Sequence, residues 1–321
     1  MSVVQSALPS PIPVVTIGGY LGAGKTTLVN HLLRQANGRR LAVLVNEFGS
    51  LPIDADLIEA QDENMISISG GCVCCSYGND MVAALEDMAA MAPRPDLVLL
   101  EASGVALPGA VRDLIGLLAD YRHQGVTVLA DAETVRKRAQ DTYMGDTILR
   151  QLADADLLVL NKADLVAEPA LASLRDWLQT SAPAAAIITT SHAMVPLDVI
   201  GGLAAGAPKV GHHHHHVEDS FETESFTLEA PADPEGLASA LASPAYALVR
   251  AKGFVRDGAG TLIEVQTVGR RWDVRPARTK VTPGVVCIGL KGQCDMAGVA
   301  ALFTRLAEPH PSQPVLSGSA P

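Results

Sequence analysis

The sequence predicts an α/β fold in two domains, a larger one on a mostly parallel sheet and a smaller α+β one. Three observations carry this prediction. Short continuous apolar runs alternate with helical stretches over the first part of the chain, a glycine-rich turn joins the first run to the first helix, and the composition breaks near residue 208. Continuous apolar strands separated by amphipathic helices are the pattern of a parallel sheet covered on both faces. At 321 residues and 48% hydrophobic content, the chain is long enough for one large core and one smaller.

In chain order, residues 1–12 read as a loose tail, broken by prolines 9 and 11 and followed by Pro13. They carry neither the basic start nor the continuous apolar stretch of a secretory signal. Strands are expected at 14–17, 41–45, 97–100, 126–130 and 157–160. A helix from Lys25 to about Ala36 follows the first of them, because Leu28, Leu32 and Leu33 fall at helical spacing and Gly38 sits where a stop belongs. The first domain is thus 13–209. Residues 210–220, with five consecutive histidines followed by Glu218 and Asp219, cannot form a core and read as an exposed linker. The second domain, 221–307, contains expected strands at 221–228, 246–255, 262–268 and 285–288 and a helix at 296–306. Residues 308–321, rich in Pro, Ser and Gly, are expected to be a disordered tail.

Charge narrows the function classes. Lys and Arg number 24 against 35 Asp and Glu, a net charge of −11, which repels phosphate backbones and anionic lipid. Nucleic acid and membrane are therefore not expected partners. The most apolar window, 184–207, is interrupted by Pro196 and Asp198 and does not supply about 20 lipid-compatible positions. Five cysteines, an odd number with three between Cys72 and Cys75, suit a reducing compartment, and a cytoplasmic location is expected. Neither charge nor periodicity decides the oligomeric state.

Gly19-Tyr20-Leu21-Gly22-Ala23-Gly24-Lys25-Thr26 follows an expected strand and opens an expected helix, the context of a phosphate-binding P-loop. Glycines at 19, 22 and 24 let the backbone wrap a polyanion, with amides of Ala23 to Thr27 pointing inward. Lys25 supplies a charge to the outer phosphates, and the Thr26 hydroxyl is a candidate ligand for Mg²⁺. Glu101, at the end of an apolar strand, is the candidate acid of the Mg²⁺ site, against the alternative of a solvated helix-start carboxylate. A P-loop NTPase domain follows from these residues. Asn161-Lys162-Ala163-Asp164 follows another strand at the same edge. Asp164 can accept from N1–H and the exocyclic amine of guanine, a donor pair that adenine lacks, which points to GTP.

Cys72, Cys74 and Cys75 offer three thiols to one borderline or soft cation, Zn²⁺ or Co²⁺, with a fourth position left open for transfer. The alternatives are burial as small apolar groups, or a redox pair at Cys72 and Cys75. His212, His213, His214, His215 and His216 read either as an auxiliary metal-gathering run or as a solvated or inserted linker. Cys287 and Cys294 are given no function, and His31, His123, His192 and His310 carry no pattern.

These residues resemble the CobW family of GTPases, metallochaperones and metal-insertion factors related to the hydrogenase and urease accessory GTPases. The resemblance rests on residues 19–27, on Asn46-Glu47-Phe48-Gly49, on Gly71-Cys72-Val73-Cys74-Cys75, on residues 101–104 and on residues 161–164. In the second domain it rests on Arg250-Ala251-Lys252-Gly253 and Ile288-Gly289. It implies that residues 46 to about 54 form a switch sensing the γ-phosphate, and that Glu47 joins Lys25, Thr26 and Glu101 as a catalytic group. It further implies that the cysteines deliver a metal to a client metalloenzyme under nucleotide control. Two departures are visible: Ser50 where an acidic residue often stands, and Ala102-Ser103 where a threonine pair is common. A small-molecule kinase and a metal buffer with vestigial nucleotide binding are the rival readings.

Overall fold

The computed structural model describes residues 10–46, 65–70, 79–202, 220–277 and 281–307. Among them, seven strands form one sheet: β1 (Ile12–Gly19), β2 (Leu41–Asn46), β3 (Met65–Gly70), β4 (Leu97–Glu101), β5 (Tyr121–Asp131), β6 (Leu157–Asn161) and β7 (Ala186–Thr189). Their order is β3-β2-β4-β1-β5-β6-β7, and every neighbouring pair is parallel. The helices between them are α1 (Lys25–Arg34), α2 (Asn79–Ala90), α3 (Pro108–Ile115), the short α4 (Val135–Arg138), α5 (Gly145–Ala153) and α6 (Glu168–Ser181), and α7 (Leu197–Gly201) follows β7.

The unbroken apolar runs have a simple cause. Successive strand side chains point to opposite faces, so a strand covered on both sides needs apolar residues at every position. In β4, Leu97 and Leu99 enter the core beneath α1 and α7, whereas Val98 and Leu100 enter the one beneath α2 and α3. In β6, Leu157 and Val159 join the first of these cores, and Leu158 and Leu160 pack with Leu152 of α5 and Leu174 and Leu178 of α6.

The second sheet comprises β8 (Phe221–Phe226), β9 (Leu248–Arg256), β10 (Leu262–Val268), β11 (Arg271–Pro276) and β12 (Gly284–Leu290), antiparallel throughout in the order β11-β10-β9-β12-β8. Helices α8 (Pro234–Leu241) and α9 (Met296–Ala307) cover one face, where Phe303 stacks on Phe226 with ring centroids 4.8 Å apart. Val249, Val268 and Ile288 instead enter the core of the first domain, so the two units share apolar packing. Ionic contacts reinforce the join: Arg122 pairs with Glu264 and, at 3.3 Å, with Asp273, and Arg271 lies 3.2 Å from Asp156.

The structure departs from the sequence reading at identifiable places. β1 begins at Ile12, the last residue assigned to the tail, where Ile12 N–H donates to Asp120 O at 2.8 Å. α1 ends at Arg34, with Gln35 as its cap and Gly38 at φ 82°. β3, β7, β11 and α8 were not expected. The first three are short or carry polar residues at alternate positions, as in Met65-Ile66-Ser67-Ile68-Ser69-Gly70, and so lack the run that marks a central strand. The strand expected from 246 begins at Leu248, because Ala247 takes φ 48° after the turn at Ser243 and Pro244. Among the described residues, no helix is long and apolar enough to cross a membrane.

His123, near the start of β5, lies in the cleft between the two sheets, with Nε2 3.1 Å from Thr16 Oγ1. Burial, aided by Arg271 and Arg112 and opposed by Asp113, pushes its pKa from 6.5 down to about 3. The folded chain therefore holds it neutral while the unfolded chain takes up a proton below its ordinary pKa. Its contribution to stability falls as pH drops from about 6 toward about 4, by up to about 1.4 kcal/mol per pH unit. Urea unfolding of wild type and His123→Gln at pH 7 and pH 5 should show a shallower acid loss in the variant. Equal losses would contradict this.

Candidate nucleotide site

The phosphate loop is built where β1 leaves the sheet. Gly19, Gly22 and Gly24 have φ of 129°, 77° and 103°, the left-handed region that side chains disfavour. A Cβ on Gly19 would stand 2.3 Å from Leu129 O on β5, and one on Gly24 would stand 2.5 Å from Asn161 Nδ2. The loop closes through Ala23 N–H, which donates to Tyr20 O at 3.2 Å. α1 then starts from its N-cap Gly24 with no side-chain cap hydrogen bond, and its amino end presents the positive end of the helix dipole to the loop. Lys25, the first residue of α1, is 9% exposed, Ala23 is buried, and Thr27 faces outward.

Parallel register brings the acid to this loop. Glu101 ends β4 opposite Ile17 of β1 and Val45 of β2. It is 3% exposed, and Thr26 Oγ1 donates to its Oε1 at 3.1 Å. A hydroxyl and a carboxylate side by side at a phosphate loop are the hard oxygen donors that Mg²⁺ prefers. The turn after Glu101 is fixed from two sides. A Cβ on Gly104 would meet Leu21 Cδ2 at 2.5 Å, and the buried amide of Gln151 on α5 donates to Gly104 O at 3.1 Å and Ala106 O at 2.8 Å.

The base side is organised by Asn161, 2% exposed at the end of β6. Its Nδ2 donates to Ala23 O of the phosphate loop at 2.9 Å, and its Oδ1 accepts from Ala193 N–H at 2.8 Å. Lys162 has φ 60°, and its Nζ donates to Asp131 Oδ2 at 2.7 Å. Asp164 is exposed, and a hydrogen bond from Ser191 holds its carboxyl below the usual range, keeping it an ionised acceptor. Asp164 N–H in turn donates to Ser191 Oγ at 3.2 Å, and Ala163 N–H to Thr190 O at 3.1 Å.

Sequence reasoning missed Asp131, Gln151 and the turn at Ser191, His192 and Ala193. In that turn His192 and Ala193 take φ of 55° and 53°, which L-residues rarely adopt. The available signal was position alone: the turn follows a short strand at the same sheet edge. Arg138 was also missed; it donates to Leu21 O at 3.2 Å, with its guanidinium 4.8 Å over the Tyr20 ring.

Glu47, Cys72, Cys74, Cys75 and the histidines 212–216 lie outside the described residues. What is described is where their segments begin. Asn46 pairs in register with Gly70, so the chain bearing Glu47 and the chain bearing the cysteines leave neighbouring strands at the edge holding Glu101. Among the described residues no group of three or more His, Cys, Asp or Glu could hold a metal. Cys287 is buried and Cys294 donates to Glu222 Oε1 at 2.8 Å. Burial in both, with Glu222 adding to it at Cys294, pushes the two thiols up to about 12, so they remain protonated packing groups.

A wrapped glycine loop, a threonine hydroxyl on a buried glutamate and an asparagine that ties the end of β6 to the loop define a P-loop nucleotide-binding protein. Residues 13–189 match the family described as CobW/HypB/UreG, nucleotide-binding domain, and residues 221–309 match the cobalamin synthesis protein cobW C-terminal domain. The chain belongs to the CobW/HypB/UreG family of P-loop GTPases. It is 33% identical over 308 residues to the zinc chaperone CobW of Pseudomonas aeruginosa, covering 82% of each chain. It is 29% identical over 344 residues to the zinc chaperone CobW of Sinorhizobium sp, covering 92% of this chain and 97% of that one. The crystal structure of Zn(II)-bound YjiA GTPase from E. coli aligns with a TM-score of 0.47 at 21% identity, covering 94% of this chain and 100% of that one.

Asn161→Ala would leave Ala23 O and Ala193 N–H unpaired in a buried place and free the strained turn. The expected cost is about 2–4 kcal/mol, read by urea unfolding. A loss under about 0.5 kcal/mol would show that the bridge is dispensable.

Proposed function

We propose that the chain is a Mg²⁺-dependent GTPase that binds Zn²⁺ or Co²⁺ through Cys72, Cys74 and Cys75 and passes it to a client metalloenzyme, with nucleotide state setting metal affinity. One observation carries this reading: the pairing of Asn46 with Gly70 and of Val45 with Glu101. A segment that senses the terminal phosphate and a segment that bears three thiols start from adjacent strands beside the carboxylate of the Mg²⁺ site. Membership of a family whose relatives are named zinc chaperones supports the choice of cargo.

In this reading the amides of Gly19, Gly22, Ala23, Gly24 and Thr27 cradle the phosphates, and Lys25 balances charge on the outer ones. Thr26 and Glu101 hold Mg²⁺, which when bound neutralises charge on the β- and γ-oxygens. Asn161, Lys162 and Asp164 receive guanine, and Asp164 accepts from its donor edge while Asn161 keeps that edge attached to the phosphate loop. Glu47 rides on the segment that closes over the terminal phosphate. When that segment orders and relaxes, it shifts the adjoining thiolates between two arrangements of different affinity. Each tenfold change in metal affinity requires about 1.4 kcal/mol of coupling, within the range of ordinary allostery. Histidines 212–216 serve as an auxiliary gathering run, and the cytoplasm keeps the thiols reduced.

The direct test is Zn²⁺ and Co²⁺ affinity under anaerobic, reducing conditions with GTP, with GDP and without nucleotide. At least about a tenfold difference between GTP and GDP is expected, and equal affinities would remove nucleotide control. Thiolate ligation further requires affinity to rise with pH as protons leave sulfur, and Cys74→Ser to weaken it. Asp164→Asn should erode preference for GTP over xanthosine triphosphate by about a hundredfold in competition; an unchanged preference would remove Asp164 from the base site.

A further inference from the structure

Residues 190–202 touch the nucleotide edge at one end and the second domain at the other. At the first end, Thr190 O accepts from Ala163 N–H, and Ala193 N–H donates to Asn161 Oδ1. Midway, the side chain of Gln35, the cap of α1, grips the backbone twice. Its Nε2 donates to Val195 O at 3.2 Å, and its Oε1 accepts from Leu197 N–H at 2.8 Å. At the far end, Arg250 on β9 donates through Nη1 to Ile200 O at 2.9 Å and Val199 O at 3.4 Å, and through Nη2 to Gln124 Oε1 at 3.1 Å. Arg39 adds a bond to Gly202 O at 3.4 Å and an ion pair with Asp198 at 3.3 Å.

Arg250 is a costly residue to place there. It is 2% exposed, and its hydrogen bonds go to backbone carbonyls and an amide oxygen rather than to a carboxylate. Burial lowers its pKa to about 10, so it still carries a charge at neutral pH. A buried cation satisfied by backbone carbonyls demands that those carbonyls stay in place. Between the two ends, Ala193, Val195, Leu197, Val199 and Ile200 are all buried, so the segment is packed along its length. Its strained residues, His192 and Ala193, sit where it meets Asn161. A strained turn persists only while its surroundings over-determine it.

We infer that Gln35 and Arg250 are positioning residues for the base side of the nucleotide site. By fixing residues 190–202 they keep the Ala193 amide on Asn161 and the Ser191 hydroxyl on Asp164. Through Arg250 the second domain then sets how firmly guanine is held, while the phosphate grip is left alone. This inference rests on the guanine-nucleotide reading above.

The test separates the base from the phosphates. Binding of Mg-GDP and of Mg-pyrophosphate is measured by calorimetry on the full chain as wild type, Gln35→Leu and Arg250→Lys. Gln35 is half-buried at a helix end, so Gln35→Leu tests the hold on residues 190–202 even if Arg250→Lys fails to fold, and Gln124→Ala, which removes the side-chain acceptor of Arg250 Nη2, then tests the second domain's share. The expected result is about a tenfold loss of GDP affinity with pyrophosphate affinity held within about twofold. GDP affinity unchanged in the variants would overturn the inference, and so would equal losses for GDP and pyrophosphate, which report general loosening. A wild type that binds pyrophosphate but gains nothing from the nucleoside would instead fail the guanine reading, and this inference with it.

Discussion

The side-chain amide of Asn161 holds the nucleotide edge together. It is a short residue whose amide nitrogen donates and whose oxygen accepts, and each group is used across strand boundaries: to Ala23 O on the loop after β1 and from Ala193 N–H on the turn after β7. The proposed phosphate and base sites lie on strands that are not neighbours, since β5 lies between β1 and β6. A buried polar bridge is the means by which two loops on a rigid sheet acquire a fixed separation, and it excludes alternatives because either group would be costly to leave unpaired. The glycine at 24 is a consequence, since a Cβ there would occupy the space of the Asn161 amide.

The rest of the site inherits its geometry from parallel register. All strands of the sheet end at one edge, and open α/β sheets bind ligands there because helix amino termini and strand-end side chains converge. Glu101 reaches Thr26 for this reason rather than through any local motif. The same rule places the ends of β2 and β3 side by side, the adjacency on which the proposed coupling of metal to nucleotide rests. Arg250 extends the arrangement into the second domain, whose sheet packs Val249, Val268 and Ile288 into the core under α1.

Much of this was legible in the sequence, and the parts that were not share a cause. The central strands announced themselves because burial on both faces demands apolar residues at every position, as Leu97-Val98-Leu99-Leu100 illustrates. The phosphate loop was legible because positive φ at three places selects glycine. Asn161 stood out in the sequence as a candidate for the base site, but its bridge did not, because the partners Ala23 and Ala193 contribute backbone atoms, which any residue type could supply. Gln151, Asp131 and Arg250 were unreadable as site or positioning residues for a related reason. Each acts through a contact made by tertiary packing across 31 to 126 positions of sequence, and although Arg250 stands in a stretch that carries the family resemblance, no spacing announces the contact it makes. The edge strands β3 and β7 escaped because an edge or short strand is under weaker compositional demand than a central one.

Asn161 and its partners are assembled before any nucleotide arrives, and the most direct measurement of the proposed guanine preference is a calorimetric titration of the intact wild-type chain with Mg-GDP and with Mg-ADP. An ionised Asp164 and a fixed Asn161 predict GDP binding tighter than ADP by at least about a hundredfold. Equal affinities for the two would show that this edge grips phosphates alone, and the base-side account would be wrong.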